Sequence, residues 1–168
     1  MIGESLRRAL MMGFAFVLAA GAGALFLPLA ALMDPAMREA GLDVAMRGVF
    51  RILDEAARDG DLGFDLGALG FVFWAILIAV CAAPLAFAAL VGEIAGARGW
   101  SWYVGASGFL AAASPWIARG SRAVARSGPP SPLEQRILVL FFLTGALTGL
   151  LYWLIAVRGR RGSGVPAR

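Results

Sequence analysis

The stretch ILVLFFLTGALTGLLYWLIAV, residues 137–157, decides the fold because it runs for 21 residues without a charge. A helix needs about 20 apolar residues to cross the hydrocarbon core of a bilayer. Three other stretches, at 9–33, 66–92 and 99–118, are also uncharged, over 25, 27 and 20 residues. The sequence therefore predicts an all-α, polytopic membrane protein, a single membrane domain over residues 1–168. Its four transmembrane helices are predicted at about 9–33, 67–92, 99–118 and 137–157.

The composition excludes most soluble enzyme classes. Only 15% of the residues are charged, against about one quarter in soluble domains, and the mean hydropathy is +0.78. The sequence has no His and no Lys, so the commonest general base and the Schiff-base nucleophile are missing. The single cysteine, Cys81, lies among apolar residues and is expected to pack there. We therefore expect a protein that is not an enzyme, with no cofactor and no catalytic or metal-binding residues.

The net charge of +4 does not indicate a nucleic-acid partner, because four apolar segments leave no basic domain. All fifteen basic residues are Arg, a usage typical of a GC-rich bacterial genome. We accordingly expect a bacterial inner membrane as the location, with the lipid bilayer as the first partner.

The first apolar segment follows Arg7 and Arg8, as the apolar region of a secretory signal does. Two alternatives are open, a cleaved signal peptide and an uncleaved signal-anchor helix. The anchor is favoured because the apolar run continues well beyond the length of a typical signal.

Small residues at four-residue spacing mark candidate helix contacts on the first and last segments. Ala15, Ala19 and Gly23 recur on the first, and Gly145 and Gly149 form a GxxxG element on the last. Such elements let two helix backbones approach closely. Both homodimerisation and a contact within one bundle fit the pattern, and the second is favoured because glycine is common in membrane helices.

The third segment is the least apolar of the four. The span from Trp102 to Trp116 is about 21 Å of helix, which is short for a full crossing. The pattern favours a helix buried in the bundle and packed by Gly105, Gly108 and Ala112. It leaves open whether this segment spans the membrane.

An amphipathic helix is predicted outside the membrane at about 35–58. Asp34 and Pro35 are typical of a helix start, and apolar residues then recur on one side at helical spacing. Residues 34–65 carry eight acids and four arginines, a net charge of −4. Because helices that bind anionic lipids are usually basic, we expect this one to dock on the bundle or on a partner protein.

The arginines favour one orientation. With four crossings and both termini cytoplasmic, Arg7, Arg8, Arg98 and the cluster from Arg158 onward lie inside, and the acidic helix lies outside. The linker predicted at 119–136, which contains the Pro-rich run SGPPSP, then lies outside. Its four arginines oppose the positive-inside rule, so the arginine count alone does not decide the orientation. We favour this topology because the first helix usually dominates.

Glu93 is the candidate site residue because it directly follows the second segment. An acid at the end of a membrane helix can bind a proton or a cation in a transporter, or it can face water or pair with Arg98. The structural role is favoured, since no charged residue lies inside any of the four segments. The run DGDLGFD at 59–65 is similar to the opening of a calcium loop. Helix termination is favoured there, since position twelve is Gly70 instead of the required Glu.

The tail at 149–158, GLLYWLIAVR, resembles the YWLIAGR-type ending of a group of small alphaproteobacterial inner-membrane proteins. The stretch from Pro84 through Glu93 to Tyr103 is similar to a helical hairpin of that group. This chain departs from the motif at Val157, where a Gly commonly precedes the Arg. The resemblance implies four helices with the hairpin on the cytoplasmic side, and it implies no activity or site residue.

These patterns favour a non-catalytic accessory, structural or assembly component that acts through helix packing and contacts with a membrane-protein partner or a second copy. The alternative is a small transporter or channel component that uses Glu93.

Overall fold

The computed structural model describes residues 2–41, 43, 47–48, 50, 67, 70–71, 74–119 and 131–158. Within these residues every regular element is helical, so the prediction of an all-α fold is confirmed. Four long helices follow one another: α1 (Ile2–Met33), α2 (Trp74–Ile94), α3 (Trp100–Arg119) and α4 (Pro132–Tyr152, continued by a π-helical turn at Trp153–Val157).

Three of the described helices are long and apolar enough to cross a membrane: Leu6–Met33, Trp74–Ile94 and Pro132–Val157. Three helices of this length and composition are consistent with the predicted membrane protein. The third predicted segment forms α3, which has 20 residues but is less apolar than the other three helices. Its glycines and serines lower its hydropathy, as the sequence indicates.

Helix α2 contains a π-helical turn at Ile78–Ala82, directly before Pro84. A proline ring inside a regular helix clashes with the carbonyl four residues earlier and removes one hydrogen-bond donor. The wider turn absorbs this conflict, so the chain continues as an α-helix over Ala83–Ile94.

Helix α4 begins five residues before the apolar segment at 137–157. The Ser131 side chain accepts a hydrogen bond from the Glu134 amide at 3.2 Å, and the Glu134 carboxylate accepts one from the Ser131 amide at 3.0 Å. This capping box starts the helix at Pro132. The linker expected at 119–136 is therefore shorter, because 132–136 and Arg119 are helical.

The segment after α1 is helical at 35–41, 43, 47–48 and 50, where the sequence predicts the amphipathic helix 35–58. Asp34 begins it, accepting hydrogen bonds from the amides of Ala36 and Met37 at 3.0 and 3.1 Å. The remaining residues of that prediction, the run at 59–65 and residues 120–130 lie outside the described residues.

The four helices are arranged so that neighbours along the chain run in opposite directions. At one end of the bundle, here called the Glu93 end, Arg8 of α1 contacts Glu93 of α2, and Trp153 of the last turn bonds the loop before α3. At the other, the Asp34 end, Asp34 contacts Arg136 at the start of α4.

Helix α4 lies at the centre and packs against α1, α2 and α3. The buried interior consists mainly of small residues, joined by Leu85, Tyr103 and Tyr152. Large apolar side chains point outward along the spans, among them Leu25, Phe87 and Leu143. This distribution suits a bilayer, where lipid covers the outer face and small residues let helices approach.

Candidate functional site at the Glu93 end

Glu93 lies in the last turn of α2 and forms an ion pair with Arg8 of α1. The side chain of Glu93 is 19% exposed and that of Arg8 is 57% exposed, so the pair lies at the rim of the bundle. The sequence offers Arg98 as the partner of Glu93, and the structure places Arg8 against it. Only the folded chain brings these two residues, 85 positions apart, together.

The loop between α2 and α3 holds the site in place. Gly96 adopts a left-handed conformation with a φ of 65°, which lets the Ala97 amide donate to the Gly92 carbonyl at 2.8 Å. The Trp153 indole donates to the Arg98 carbonyl at 3.0 Å. The backbone at Arg98 is thereby fixed to the π-helical turn Trp153–Val157 that continues α4.

A tyrosine and a tryptophan from α3 bond the same loop and the helix before it. Tyr103, only 1% exposed, donates its hydroxyl to the Ala97 carbonyl at 3.1 Å, and Trp102 donates to the Ala88 carbonyl at 3.1 Å. Gly92 is required here, because a Cβ on it would lie 2.8 Å from the Tyr103 hydroxyl oxygen. No pattern in the sequence indicates either hydrogen bond, because Ala88 and Ala97 take part through their backbone carbonyls.

These elements enclose a cleft of about 410 Å³. The cleft is lined by side chains and backbone from all four helices: Arg8, Gly92, Glu93, Gly96, Ala97, Arg98, Tyr103 and Val157. It therefore combines two guanidinium groups and one carboxylate over a floor of small residues and a buried tyrosine. Guanidinium groups in such a cleft can bind an anion, or they can connect two helices through an ion pair with the carboxylate.

The helix-packing candidates of α4 contact α3 of the same chain. A Cβ on Gly145 would lie 2.6 Å from the Cβ of Ala111, and one on Gly149 would lie 3.0 Å from the Ser107 hydroxyl. Both glycines also lie directly against the α3 backbone, Gly145 at the Ser107 carbonyl and Gly149 at the Tyr103 carbonyl. The GxxxG face of α4 is thus occupied within the bundle.

The candidates of α1 also face the interior. Ala15 and Ala19 are fully buried, and a Cβ on Gly23 would lie 3.3 Å from the sulfur of Cys81 in α2. On α3, Gly108 packs against Phe142, whereas Gly105 has no atom near its missing Cβ. The expected packing role of Gly105 is therefore wrong, and Tyr103, Ser107 and Ala111 form the contact face instead.

The described interior contains hydroxyl groups and no carboxylate. Thr144 and Thr148 are fully buried, and each donates to a carbonyl of its own helix, at 2.8 and 2.9 Å. The Ser107 hydroxyl is fully buried and has no hydrogen-bond partner in the described part of the chain. Among the described residues no group of three metal-ligating side chains comes together.

At the Asp34 end, a second ion pair joins Asp34 to Arg136 at 2.7 Å. The hydrogen bond from the Met37 amide, together with the Arg136 guanidinium, holds the pKa of Asp34 below its ordinary value of 3.8. The pair borders an open groove of about 590 Å³ between α1 and α4. The carboxyl end of α1 and the start of α4 are thereby connected.

Comparison of the chain with protein-family models, with curated protein sequences and with solved structures found no match.

Proposed function

We propose that this chain is a non-catalytic accessory or assembly component of a bacterial inner membrane, which acts by binding another membrane protein. The observation that carries the proposal is the filled interior, where glycine and alanine contacts bring α1, α2 and α3 against α4. In the described residues this interior contains hydroxyls and no ionisable carboxylate or guanidinium. A bundle of this kind supplies surfaces for contact rather than a path for ions.

Four crossings belong to this proposal. Helix α3 has 20 residues, about 30 Å at 1.5 Å per residue, which matches the hydrocarbon core. It begins at the Glu93 end, and Pro115 and Trp116 near its other end lie beside Ile137 and Leu138 of α4. Two of its small residues, Ser107 and Gly108, are buried against α4, so they are shielded from lipid. Low hydropathy is therefore compatible with a crossing.

The surface proposed for the partner is the helix that follows α1 at the Asp34 end. Its described charged side chains, including Arg38, Glu39 and Asp43, are exposed. The whole segment at 34–65 carries a net charge of −4. A basic surface on the extramembrane part of a neighbouring protein would complement it.

Transport through Glu93 is the second candidate, and the cleft around this residue is the observation that favours it. The ion pair with Arg8 opposes it, because a paired carboxylate at a rim is less suited to cycle a proton than one inside the bundle.

Copurification in a mild detergent tests the two candidates together. We expect the unaltered chain and a Glu93→Gln variant to copurify with the same membrane-protein partner, at the same molar ratio of partner to chain. A variant with Glu39→Gln and Asp43→Asn, which removes two exposed negative charges from the proposed surface, is expected to lose that partner. If Glu93→Gln abolishes a transport or resistance phenotype while the protein still inserts, and the double variant does not, the accessory role is refuted.

A further inference from the structure

The cleft at the Glu93 end carries two arginines to which the proposed function gives no role. Arg8 projects from α1 and Arg98 from the loop before α3, and both line the cleft with Glu93. Two guanidinium groups and one carboxylate leave these three side chains with a net charge of +1. A guanidinium has five N–H donors, so the bond from Arg8 to Glu93 leaves donors that can bind a further anion.

We propose that this cleft is a binding site for a phosphate-bearing anion, with Arg8 and Arg98 as the residues that hold the phosphate. Arginine is suited to this task because its planar group can donate two parallel hydrogen bonds to phosphate oxygens. The inference concerns a ligand, and it holds whether or not a protein partner binds at the Asp34 end.

The position of the cleft favours the headgroup of an anionic phospholipid as the source of the phosphate. The cleft lies where the spans Leu6–Met33, Trp74–Ile94 and Pro132–Val157 have their Glu93-end termini, and these termini fall at headgroup depth. A volume of about 410 Å³ accommodates a lipid headgroup, whereas a free phosphate would fill only part of it.

Hydrogen bonds hold the backbone of the loop that carries Arg98, which lowers the entropic cost of binding. The carbonyl of Arg98 is bound by Trp153, and the neighbouring carbonyl of Ala97 is bound by the buried Tyr103. The exposed guanidinium of Arg8 is oriented by Glu93. Glu93 thus positions one arginine, and it also competes with the anion for that arginine.

A titration of the full chain in nonionic detergent tests the site. The probes are phosphatidylglycerol, phosphatidylcholine with the same acyl chains, and inorganic phosphate, and bound ligand is counted by native mass spectrometry. We expect saturable binding of phosphatidylglycerol in preference to phosphatidylcholine. Arg8→Gln and Arg98→Gln should each weaken this binding about fivefold, the effect of about 1 kcal/mol per arginine.

Two further variants separate a binding site from a structural ion pair. Glu93→Gln breaks the same ion pair as Arg8→Gln, but its amide oxygen can still accept a hydrogen bond from Arg8 and the competing negative charge is gone. It should therefore bind phosphatidylglycerol at least as tightly as the unaltered chain. Arg136→Gln makes the same substitution in the ion pair at the Asp34 end, and it should leave the affinity unchanged. Thermal unfolding of each variant identifies any that do not fold.

The arms of the experiment also distinguish the source of the phosphate. Binding of inorganic phosphate that depends on Arg8 and Arg98, without a preference for phosphatidylglycerol, would support the anion site and assign it to a soluble ligand. The proposal is overturned if neither probe depends on the two arginines. It is equally overturned if Glu93→Gln and Arg136→Gln weaken binding as much as Arg8→Gln does.

Discussion

At the scale of single residues, the absence of a side chain at Gly149 is what brings α4 against α3. A Cβ there would meet the Tyr103 carbonyl and the Ser107 hydroxyl. We predict that Gly149→Ala destabilises the folded chain by about 1–3 kcal/mol, because overpacking forces the two helices apart.

Gly105→Ala is the matched control for Gly149→Ala. It makes the same change on α3, where nothing lies within 4 Å of the added atom. It should leave the midpoint of thermal unfolding in detergent unchanged or raise it, since alanine is favoured over glycine in helices. If Gly105→Ala lowers the midpoint of thermal unfolding as much as Gly149→Ala does, the α3–α4 contact at Gly149 does not determine stability.

The Asp34 carboxylate gives a second prediction at this scale. Its pKa is lower in the folded chain than in the unfolded chain, so it binds a proton more readily after unfolding. Its stabilising effect is therefore complete above the unfolded pKa and is lost as the pH falls through the folded one. Asp34→Asn keeps a cap for the amide of Met37 and loses the ionic bond to Arg136.

Thermal unfolding across pH measures this effect. We expect Asp34→Asn to unfold at a lower temperature than the unaltered chain near pH 7, and the difference to shrink as the pH falls below about 5. Asp43→Asn alters an exposed carboxylate paired with Arg47 one turn away, and its effect should be smaller. If the difference in unfolding temperature between Asp34→Asn and the unaltered chain stays constant down to pH 3, the Asp34 carboxylate does not have the lowered pKa described above.

At the scale of elements, the start of α4 depends on reciprocal hydrogen bonds between Ser131 and Glu134. Ser131→Ala removes the acceptor for the Glu134 amide and should cost about 1 kcal/mol of stability. Ser131→Thr keeps the hydroxyl and should restore most of it. Chemical unfolding measures the free energy of unfolding of the two variants. If Ser131→Ala is as stable as Ser131→Thr, the capping hydrogen bond does not stabilise α4.

The helices Leu6–Met33 and Pro132–Val157 were predictable from sequence because burying a charge in lipid is costly. A long run without charged residues therefore indicates a helix that can cross a membrane. The helix ends do not follow from hydropathy, although the run SPLE at 131–134 is a sequence signal for the start of α4. The capping box extends α4 to Pro132, and a π-helical turn adapts α2 to Pro84, both effects of local hydrogen bonding rather than hydropathy.

The site was only partly predictable. Glu93 stands out in the sequence as a carboxylate beside an apolar run, but its partner Arg8 is 85 positions away, and no local pattern connects the two. The small residues of α1 and α4 were visible as four-residue repeats. The face that the α4 glycines meet on α3 was not, because Tyr103, Ser107 and Ala111 share no distinctive chemistry.

At the scale of the whole molecule, the two ion pairs lie at opposite ends of the bundle. Arg8 and Glu93 join α1 to α2 at one end, and Asp34 and Arg136 join α1 to α4 at the other. These four charged groups lie at the two ends of the bundle, while mainly small residues fill the interior between them. In the proposed four-crossing bundle, these two ends face opposite sides of one membrane.

Reporter fusions measure that topology most directly, with enzymatic tags that are active on only one side of the membrane placed after Asp59, Arg98, Ser127 and Arg161. We expect the tags after Arg98 and Arg161 to lie in the cytoplasm and those after Asp59 and Ser127 to lie outside. A cytoplasmic tag after Ser127 together with an external tag after Arg161 would show that α3 does not cross. That result would contradict the four-crossing bundle.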